Sequence, residues 1–269
     1  MGEKEFKAGD FWEKRLSRKH GLHGVGYAKV GAPFNYWAYK VRASVFDREV
    51  KACLADALPA ARLLDIGSGT GFYLDRWQQL GVKNPEGLDI TRVAVERLKA
   101  HFPELTIHLA DIGEKNHALV AQLNSYDIIS CMDVLFHIVD DNRFKQALHN
   151  ISDLLKPGGW FVYSDNFVHG NTFRKAHQVS HTYDDLMQWL SEAGFELVVR
   201  KPFMVLTNYP VDSKHPLLHA WWYLLENSHA LIKPLGHLSG PLLYRIDRLL
   251  TGKLKEGPSS EFVILRKRK

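Results

Sequence analysis

The sequence of 269 residues contains only two cysteines, Cys53 and Cys131, which are far apart. A disulfide framework or a thiolate zinc site needs more cysteines at closer spacing, so neither is expected. No apolar run approaches the roughly 18 residues that cross a bilayer, and the polar stretch 1–15 does not resemble a secretory signal. We therefore expect a cytoplasmic protein that folds throughout its length.

A strong charge imbalance is also missing over most of the chain. The formal net charge is +5, and residues 240–269 alone hold eight Lys or Arg against three acidic residues. This local basic excess could meet an anionic partner such as nucleic acid, a lipid headgroup or an acidic glycan, or form a solvated tail. No RNA-binding module is recognisable, so a nucleic-acid partner is not favoured.

From Arg62 onward, short apolar runs alternate with longer amphipathic segments, which predicts an α/β fold. Pro157 and the two glycines after it are predicted to end a helix and turn the chain into the next strand. Thr182 is predicted to cap a further helix that runs to Ala193. The predicted strands are residues 62–66, 85–90, 105–110, 126–132, 160–164, 196–206 and 261–266.

Two segments lie outside this alternation. Residues 1–58 are rich in aromatic side chains, and we expect them to form an N-terminal helical cap or lid. Residues 207–258 are expected to form a helical insert that acts as a lid, a dimer face or part of a substrate pocket. The predicted core therefore consists of residues 59–206 and 259–269.

A glycine-rich turn follows the first predicted strand, where residues 65–71 read Asp-Ile-Gly-Ser-Gly-Thr-Gly. Such a turn lets backbone amides approach a polar ligand at the carboxyl end of a parallel strand. A dinucleotide fingerprint would need glycine at position 72, which is Phe72. No Lys-Ser or Lys-Thr pair follows, so a P-loop is not predicted either.

The turn resembles the first motif of class I S-adenosylmethionine-dependent methyltransferases, and the resemblance continues in order across roughly residues 62–200. It implies a Rossmann-like, mostly parallel seven-stranded sheet with helices on both faces. It also implies a methyltransferase that binds S-adenosylmethionine and releases S-adenosylhomocysteine. The cofactor-binding residues that it implies are Asp65, Gly67, Ser68, Gly69, Gly71, Asp89, Ile90, Asp111, Ile112, Met132 and Asp133.

The resemblance also suggests individual roles for these residues. Asp89, about twenty residues past the loop, would accept hydrogen bonds from ribose hydroxyls. Asp111 and the backbone of Ile112 would hold adenine, and Asp65 would lie under the amino end of the methionine part. Tyr27, in the stretch before the first strand, could cover the sulfonium, although packing in the N-terminal region is an equally good interpretation.

Several histidines follow the fourth and fifth predicted strands, where a methyl acceptor would lie. His169, His137 and His181 are candidate general bases for an acceptor hydroxyl. His169 ranks first because it follows the fifth strand most closely. The alternative for each histidine is a structural role in packing or in capping a loop.

Asp165 and Asn166 resemble a metal-ligand pair of catechol-type O-methyltransferases, with Asp133 as a third ligand for magnesium. Asp133 lies one residue beyond the matching position, which would place Met132 there instead. We therefore favour a site without metal, in which these side chains hydrogen-bond to the cofactor or the acceptor.

Residues 241–250 place apolar positions at helical spacing opposite basic ones. Such a helix can cover a pocket, form a homodimer face or make a peripheral contact with an anionic membrane, and a lid or dimer role is favoured. The sequence as a whole predicts O-methylation of a small-molecule or glycan-like acceptor by direct displacement. The alternatives are an N-methyltransferase, an RNA methyltransferase and a non-catalytic cofactor-binding sensor or scaffold.

Overall fold

The computed structural model describes residues 6–19, 21–115 and 119–269. The strands in these ranges are β1 (Leu63–Ile66), β2 (Glu86–Asp89), β3 (Ile107–Leu109), β4 (Tyr126–Cys131), β5 (Leu155–Asp165), β6 (Phe173–Lys175), β7 (Gln178–Ser180), β8 (Phe195–Pro202) and β9 (Glu261–Lys267). Seven of these strands form one sheet in the order β3-β2-β1-β4-β5-β9-β8, and β9 runs antiparallel to both of its neighbours. This confirms the predicted seven-stranded, mostly parallel sheet.

Helices cover both faces of this sheet, as the sequence predicts. Three of them precede β1, and two lie between β8 and β9. The division at residues 58, 206 and 258 remains a prediction, and residues 1–5 and 20 of its first segment lie outside the described ones. The helices are α1 (Ala8–Arg18), α2 (Leu22–Val25), α3 (Ala32–Leu54), α4 (Phe72–Gln79), α5 (Arg92–His101), α6 (Asp141–Leu154), α7 (Tyr183–Glu192), α8 (Pro216–Leu231) and α9 (Leu235–Lys253).

Strand alternation divides the core into two layers. Successive side chains of a strand point to opposite faces, so Leu64 and Ile66 pack on one side with α6 and α7 while Leu63 packs on the other with α3 and α4. Phe144 of α6 and Trp77 of α4 fill these two layers and are fully buried. The layers hold the carboxyl ends of the parallel strands at one common edge.

Two predicted boundaries are wrong. The strand predicted to end at Leu206 ends at Pro202, which pairs with Glu261, the first residue of its partner strand β9. Strand β5 begins at Leu155, directly after α6, so Pro157 lies inside it rather than in a preceding turn. Its pairing with β4 begins at Leu155, is interrupted by an irregularity and resumes at Trp160. Gly158, within this interruption, has a φ of 75°.

The structure contains a hairpin that the sequence pattern did not indicate. Strands β6 and β7 pair antiparallel to each other after β5. The two strands are three residues long, which is too short for a clear alternation of apolar and polar residues. The predicted cap of the next helix is confirmed, because the Thr182 hydroxyl accepts a hydrogen bond from the backbone N–H of Asp185.

The long helices α3 and α9 pack closely side by side, which ties the N-terminal segment to the insert before β9. Glycines permit this approach: a Cβ on Gly236 would lie 2.5 Å from the backbone nitrogen of Phe34, and one on Gly240 would lie 2.0 Å from the ring of Trp37. Both glycines are buried on the inner face of α9. The opposite face of α9 must therefore point outward.

Gly236→Ala is expected to lower the free energy of unfolding by about 1–3 kcal/mol, because the added methyl group meets backbone atoms that cannot move aside. Urea denaturation measures the change. Gly252→Ala is the matched control on the same helix, since its Cβ would have no heavy atom closer than 3.9 Å. That control should leave stability unchanged or raise it by up to about 1 kcal/mol. Equal effects of the two substitutions would contradict the packing argument.

Candidate functional site

A cavity of about 350 Å³ lies at the carboxyl ends of β1, β2 and β4. This is the edge at which open α/β sheets bind their ligands. The N-terminal helices and the insert close the cavity on its outer side. Its walls include Trp12, Arg15, Tyr27, Tyr39, Arg42, Gly67, Ser68, Gly69, Thr70, Phe72, Asp89, Ile90, Asp111, Ile112, Met132, Asp133, Val134, Phe136, His137, Asn166, His177, Gln178, Asn208 and Ser260.

The glycine loop bends backbone into this cavity. Gly67, Gly69 and Gly71 have φ angles of 71°, 50° and 83°, a region in which side chains are disfavoured. A Cβ on Gly67 would also lie 2.3 Å from a methyl group of Val134. Gly67, Ser68 and Gly69 line the cavity, whereas Gly71 packs behind it against Phe102.

Asp89, at the end of β2, holds the loop in place. One carboxylate oxygen accepts a hydrogen bond from the Gly69 N–H at 2.9 Å, and the other accepts from the N–H and hydroxyl of Thr91. Burial raises the pKa of Asp89, although these three hydrogen bonds favour the charged form. The carboxylate faces the cavity, where a ribose hydroxyl could reach its remaining lone pairs.

Asp65 lies behind the loop and does not line the cavity. Its carboxylate accepts a hydrogen bond from the hydroxyl of Ser130 at 2.6 Å, and that hydroxyl accepts one from the indole N–H of Trp77. The side chain is buried, and this burial raises the pKa of Asp65 to about 7. A cation placed above the loop would therefore favour the ionised form of Asp65.

The predicted adenine-binding residues lie together on the next part of the wall. Ile90, Asp111 and Ile112 all line the cavity, and they combine apolar surface with one carboxylate. The Asp111 carboxylate is 2.6 Å from the guanidinium of Arg143 and accepts from the Gly113 N–H at 2.8 Å. These contacts fix its orientation and leave lone pairs for another donor.

Met132 and Asp133 line the cavity after β4, as predicted. Asp133 has a φ of 59°, which is uncommon for a residue with a side chain and turns it toward the N-terminal helices. Its carboxylate accepts a hydrogen bond from the Ser164 hydroxyl and forms an ion pair with Arg42 at 3.0 Å. Burial acts to lower the pKa of Arg42, but the Asp133 carboxylate and the nearby phenols of Tyr39, Tyr73 and Tyr27 together outweigh it, so the pKa is raised.

Sequence reasoning missed Arg42. It lies on α3 between Ala38 and Phe46, on the face that the 3.6-residue period assigns to the core, and it is 8% exposed. A charged residue in an apolar register is a signal for a buried partner, because an unpaired charge is costly to bury. Nothing in the sequence identified Asp133, 91 residues away, as that partner.

The N-terminal segment closes over the cavity through specific contacts. The guanidinium of Arg15 donates to the carbonyls of Gly24 and Gly26 and lies over the ring of Trp12. The Tyr27 hydroxyl hydrogen-bonds to Asn208 of the insert, and burial raises the pKa of Tyr27 to about 12. Tyr27 thus lines the cavity as a neutral side chain that joins the two outer segments.

The structure separates the three predicted histidines. Of these, His137 alone lines the cavity. His169 is half-exposed and bound to Asp212, whose hydrogen bond raises the pKa of His169. His181 is buried against Phe144, and its Nε2 is 3.0 Å from Asp141. Neither of these two histidines lies on the cavity wall, so a role for them in proton transfer stays an untested prediction without geometric support.

His137 is held in one orientation. Its Nδ1 is 2.7 Å from the carbonyl of His177, so Nδ1 carries the proton and Nε2 is the free acceptor nitrogen. The ring packs edge-on against Trp12. Burial lowers the pKa of His137 to about 4. The imidazole is therefore neutral at physiological pH.

The alternative metal ligands are not arranged as a cluster around the cavity. Asp133 is paired with Arg42, and Asp165 is fully buried, does not line the cavity and accepts a hydrogen bond from the Asn166 N–H. Burial raises the pKa of Asp165 well above its usual value. Among the described residues, no group of three or more His, Cys, Asp or Glu side chains could hold a metal ion. The magnesium alternative stays untested.

Residues 37–200 match the family model described as a methyltransferase domain. The chain belongs to the class I S-adenosylmethionine-dependent methyltransferase family. It is 30% identical over 112 residues to the ubiquinone biosynthesis O-methyltransferase of Bordetella avium, a match that covers 41% of this chain and 45% of that protein. The methyltransferase thus spans less than half the length of such curated relatives.

Solved structures share the fold of this methyltransferase at low sequence identity. The CcbJ methyltransferase from Streptomyces caelestis matches with a TM-score of 0.55 and 15% identity, over 99% of this chain and all of that one. The [4+2]-cyclase SpnF matches with a TM-score of 0.53 and 18% identity, over 82% of this chain and 80% of that one. These likenesses extend to the fold alone.

The cavity fits the cofactor of the family. The loop offers bare backbone where a side chain on Gly67 would collide with Val134. Asp89 and Asp111 place carboxylates where hydroxyl and amine donors need acceptors, and Asp65 adds a buried acid behind the loop.

Asp89→Ala should weaken binding of S-adenosylhomocysteine by at least about tenfold, because a charge-assisted acceptor for the ribose is lost and the Gly69 N–H loses its partner. Isothermal titration calorimetry measures the dissociation constant. Asp56→Ala is the control, since Asp56 is exposed and lies outside the cavity. Unchanged affinity in the Asp89 variant would contradict the assigned contact.

Asp65 gives the ligand-free methyltransferase a particular pH dependence. Between the ordinary pKa of 3.8 and the folded-state value of about 7, the folded protein binds more protons than the unfolded chain. The free energy of unfolding contributed by Asp65 therefore falls as pH rises through this window. Asp65→Asn should remove the fall, so the variant gains stability relative to wild type as pH increases.

Urea denaturation of both proteins, at pH values on either side of this window, measures the effect. Asp75→Asn is the control, because it makes the same substitution at an exposed carboxylate on α4. A difference between wild type and Asp65→Asn that stays constant with pH would show that the Asp65 carboxyl titrates normally.

Proposed function

We propose that this methyltransferase transfers the methyl group to a hydroxyl oxygen of a small or carbohydrate-like acceptor. The observation that carries the proposal is that His137 lines the cavity with its Nδ1 bound to the His177 carbonyl, which leaves Nε2 as the acceptor nitrogen. A hydroxyl oxygen is a poor nucleophile until its proton is accepted, and an imidazole nitrogen at hydrogen-bond distance performs that task.

The proposed proton acceptor, Nε2 of His137, is unprotonated over a wide pH range. His137 is neutral above about pH 4 because burial disfavours its charged form. Donation from Nδ1 to the His177 carbonyl stabilises the imidazole orientation as a proton arrives at Nε2. When bound, S-adenosylmethionine supplies a methyl group made electrophilic by a sulfonium.

The polar residues of the outer wall support an acceptor that carries hydroxyl groups. Asn166, Gln178 and Asn208 line the cavity, and amide side chains can both donate to and accept from a hydroxyl. Trp12 and Tyr27 add flat apolar surfaces on which a ring can stack. A cavity shared by cofactor and acceptor favours a small molecule over a polymer.

The curated relatives also support oxygen as the target atom. The ubiquinone biosynthesis O-methyltransferase of Bordetella avium is named for transfer to oxygen. The similarity covers less than half of that protein, so its substrate does not transfer to this chain. The acceptor is therefore proposed only at the level of a hydroxyl-bearing small molecule.

Incubation with S-adenosylmethionine radiolabelled on the methyl group tests the proposal. A panel of phenols, sugars, amines and RNA should yield labelled methyl ethers from hydroxyl acceptors and little label in amines or RNA. Exclusive labelling of amines or RNA would overturn the proposal. Binding of the cofactor without any labelled product from the panel or a metabolite extract would favour a sensor or scaffold instead.

His137→Gln should lower kcat by about a hundredfold or more, because Gln cannot accept the proton. Affinity for S-adenosylhomocysteine should be unchanged, which shows that the cavity remains folded. His169→Gln is the matched control outside the cavity and should keep nearly full turnover. Turnover by His137→Gln close to wild type would remove His137 as the base.

The pH profile provides a second check on His137. Wild-type turnover should be lost on its acid side only as pH falls through about 4, where Nε2 becomes protonated. An acidic limb near 6.5, the ordinary histidine value, would contradict the buried, neutral imidazole.

A further inference from the structure

Helices α8 and α9 expose leucines at helical spacing on their outward faces. Each of these side chains is between 61% and 84% exposed. Residues separated by three, four or seven positions share one side of a helix, so each helix presents one apolar stripe. We call the six leucines the leucine face: Leu217, Leu224 and Leu231 on α8, with Leu238, Leu242 and Leu249 on α9.

The leucine face cannot turn inward. The inner side of α9 is locked against α3 through Gly236 and Gly240, where no side chain would fit. The inner side of α8 buries Trp222, whose ring packs on Tyr27 at 5.0 Å. Exposed apolar surface of this extent, on helices whose other faces are fixed, marks an interaction surface.

On the described parts of α8 and α9, the charged side chains that are not engaged in ion pairs or buried hydrogen bonds are all positive. Residues 216–253 contain two acids, and both are occupied: Glu226 pairs with Lys29, and Asp247 is buried and accepts hydrogen bonds from the backbone of residues 205–207. The same segment carries four cations. Within the described residues none of the four joins an ion pair: Lys233, Arg245, Arg248 and Lys253.

A groove between α3 and α9 extends this positive charge. Lys40, Arg48, Lys51 and Arg248 line it, and of these Arg48 is paired with Glu49. Its acid, Asp47, is already paired with Arg76. The ammonium of Lys40 lies over the rings of Tyr36 and Trp37. Cations and exposed leucines therefore occur together along α9.

We propose that the leucine face and its flanking cations dock this methyltransferase on the surface of an anionic phospholipid bilayer. Leucines enter the boundary between headgroups and acyl chains, while Arg and Lys contact lipid phosphates. No helix in the described ranges is long and apolar enough to cross a membrane, so the contact lies in the plane of the surface.

The combination of charge and apolar surface selects this partner over two others. A second copy of the chain, joined by a two-fold axis, would bring Arg245 and Arg248 against the same cations of its mate. A nucleic acid would satisfy the cations and leave six leucines without apolar contacts. The docking surface is separate from the cavity, so this proposal stands whichever acceptor is methylated.

Sedimentation of the full chain with vesicles tests the proposal. Vesicles of phosphatidylcholine mixed with phosphatidylglycerol should bind the protein, and vesicles of phosphatidylcholine alone should bind at least tenfold more weakly. The triple variant Leu238→Ser, Leu242→Ser, Leu249→Ser should lose at least tenfold in binding. The double variant Arg245→Glu, Arg248→Glu should lose a similar factor and most of the salt dependence.

Matched variants elsewhere on the surface serve as controls. Leu123→Ser with Val198→Ser removes exposed apolar side chains, and Lys83→Glu with Lys99→Glu makes the same change in net charge as the arginine variant. Both should bind the mixed vesicles like wild type. All variants should keep wild-type affinity for S-adenosylhomocysteine, which reports folding without reference to the acceptor.

Two results would overturn the proposal. One is the absence of binding to the mixed vesicles at low salt. The other is a dimer, measured by analytical ultracentrifugation, that the leucine variant converts to a monomer while vesicle binding is absent. That second result would assign the leucine face to another copy of the chain.

Discussion

The ion pair between Arg42 and Asp133 joins the two parts from which the cavity is built. Arg42 belongs to a helix that precedes the sheet, and Asp133 follows β4 at the edge where ligands bind. Arg42 is buried, so loss of the Asp133 carboxylate would leave its guanidinium without a compensating charge. The pair therefore sets the position of α3 relative to the sheet, and α3 in turn positions α9 through Gly236.

The same pair determines the electrostatics around the outer wall. Burial raises the pKa of Tyr39 to about 12, and the guanidinium and carboxylate nearby act on that phenol with opposite signs. The Arg42–Asp133 pair carries no net charge, and the phenols are neutral. The buried acids Asp65 and Asp89 are therefore the groups beside the glycine loop that carry charge or titrate. These acids favour a cationic ligand beside the glycine loop.

The sequence predicted the central fold well because its signals are local. Short apolar runs between amphipathic segments indicate buried parallel strands. Thr182 caps its helix through a hydrogen bond to a residue three positions away. The errors in the predicted strand boundaries occur where contacts between distant segments determine the structure. Nothing local places Pro157 inside a strand, because the pairing of Tyr126 with Leu155 on the neighbouring strand determines it.

The glycine loop, Asp89 and Asp111 each follow a strand directly, and the structure brings them to the wall of one cavity, where their contacts with the cofactor stay a prediction. The positions of the candidate bases were not predictable. His169, ranked first among the candidate bases, follows β5 closely in sequence, yet its bond to Asp212 holds it away from the cavity wall. His137 lies on that wall because Trp12 and His177, from two distant segments, pack around it. Contacts between segments so far apart in the chain produce no recognisable pattern of spacing in the sequence.

The family model covers residues 37–200, and part of the cavity wall lies outside that range. Here Trp12, Arg15 and Tyr27 precede the matched region, while Asn208 and Ser260 follow it, and all five line the cavity. The Tyr27–Asn208 hydrogen bond joins the segment before the matched region to the segment after it, so this bond helps to set the shape of the cavity wall that the two segments form.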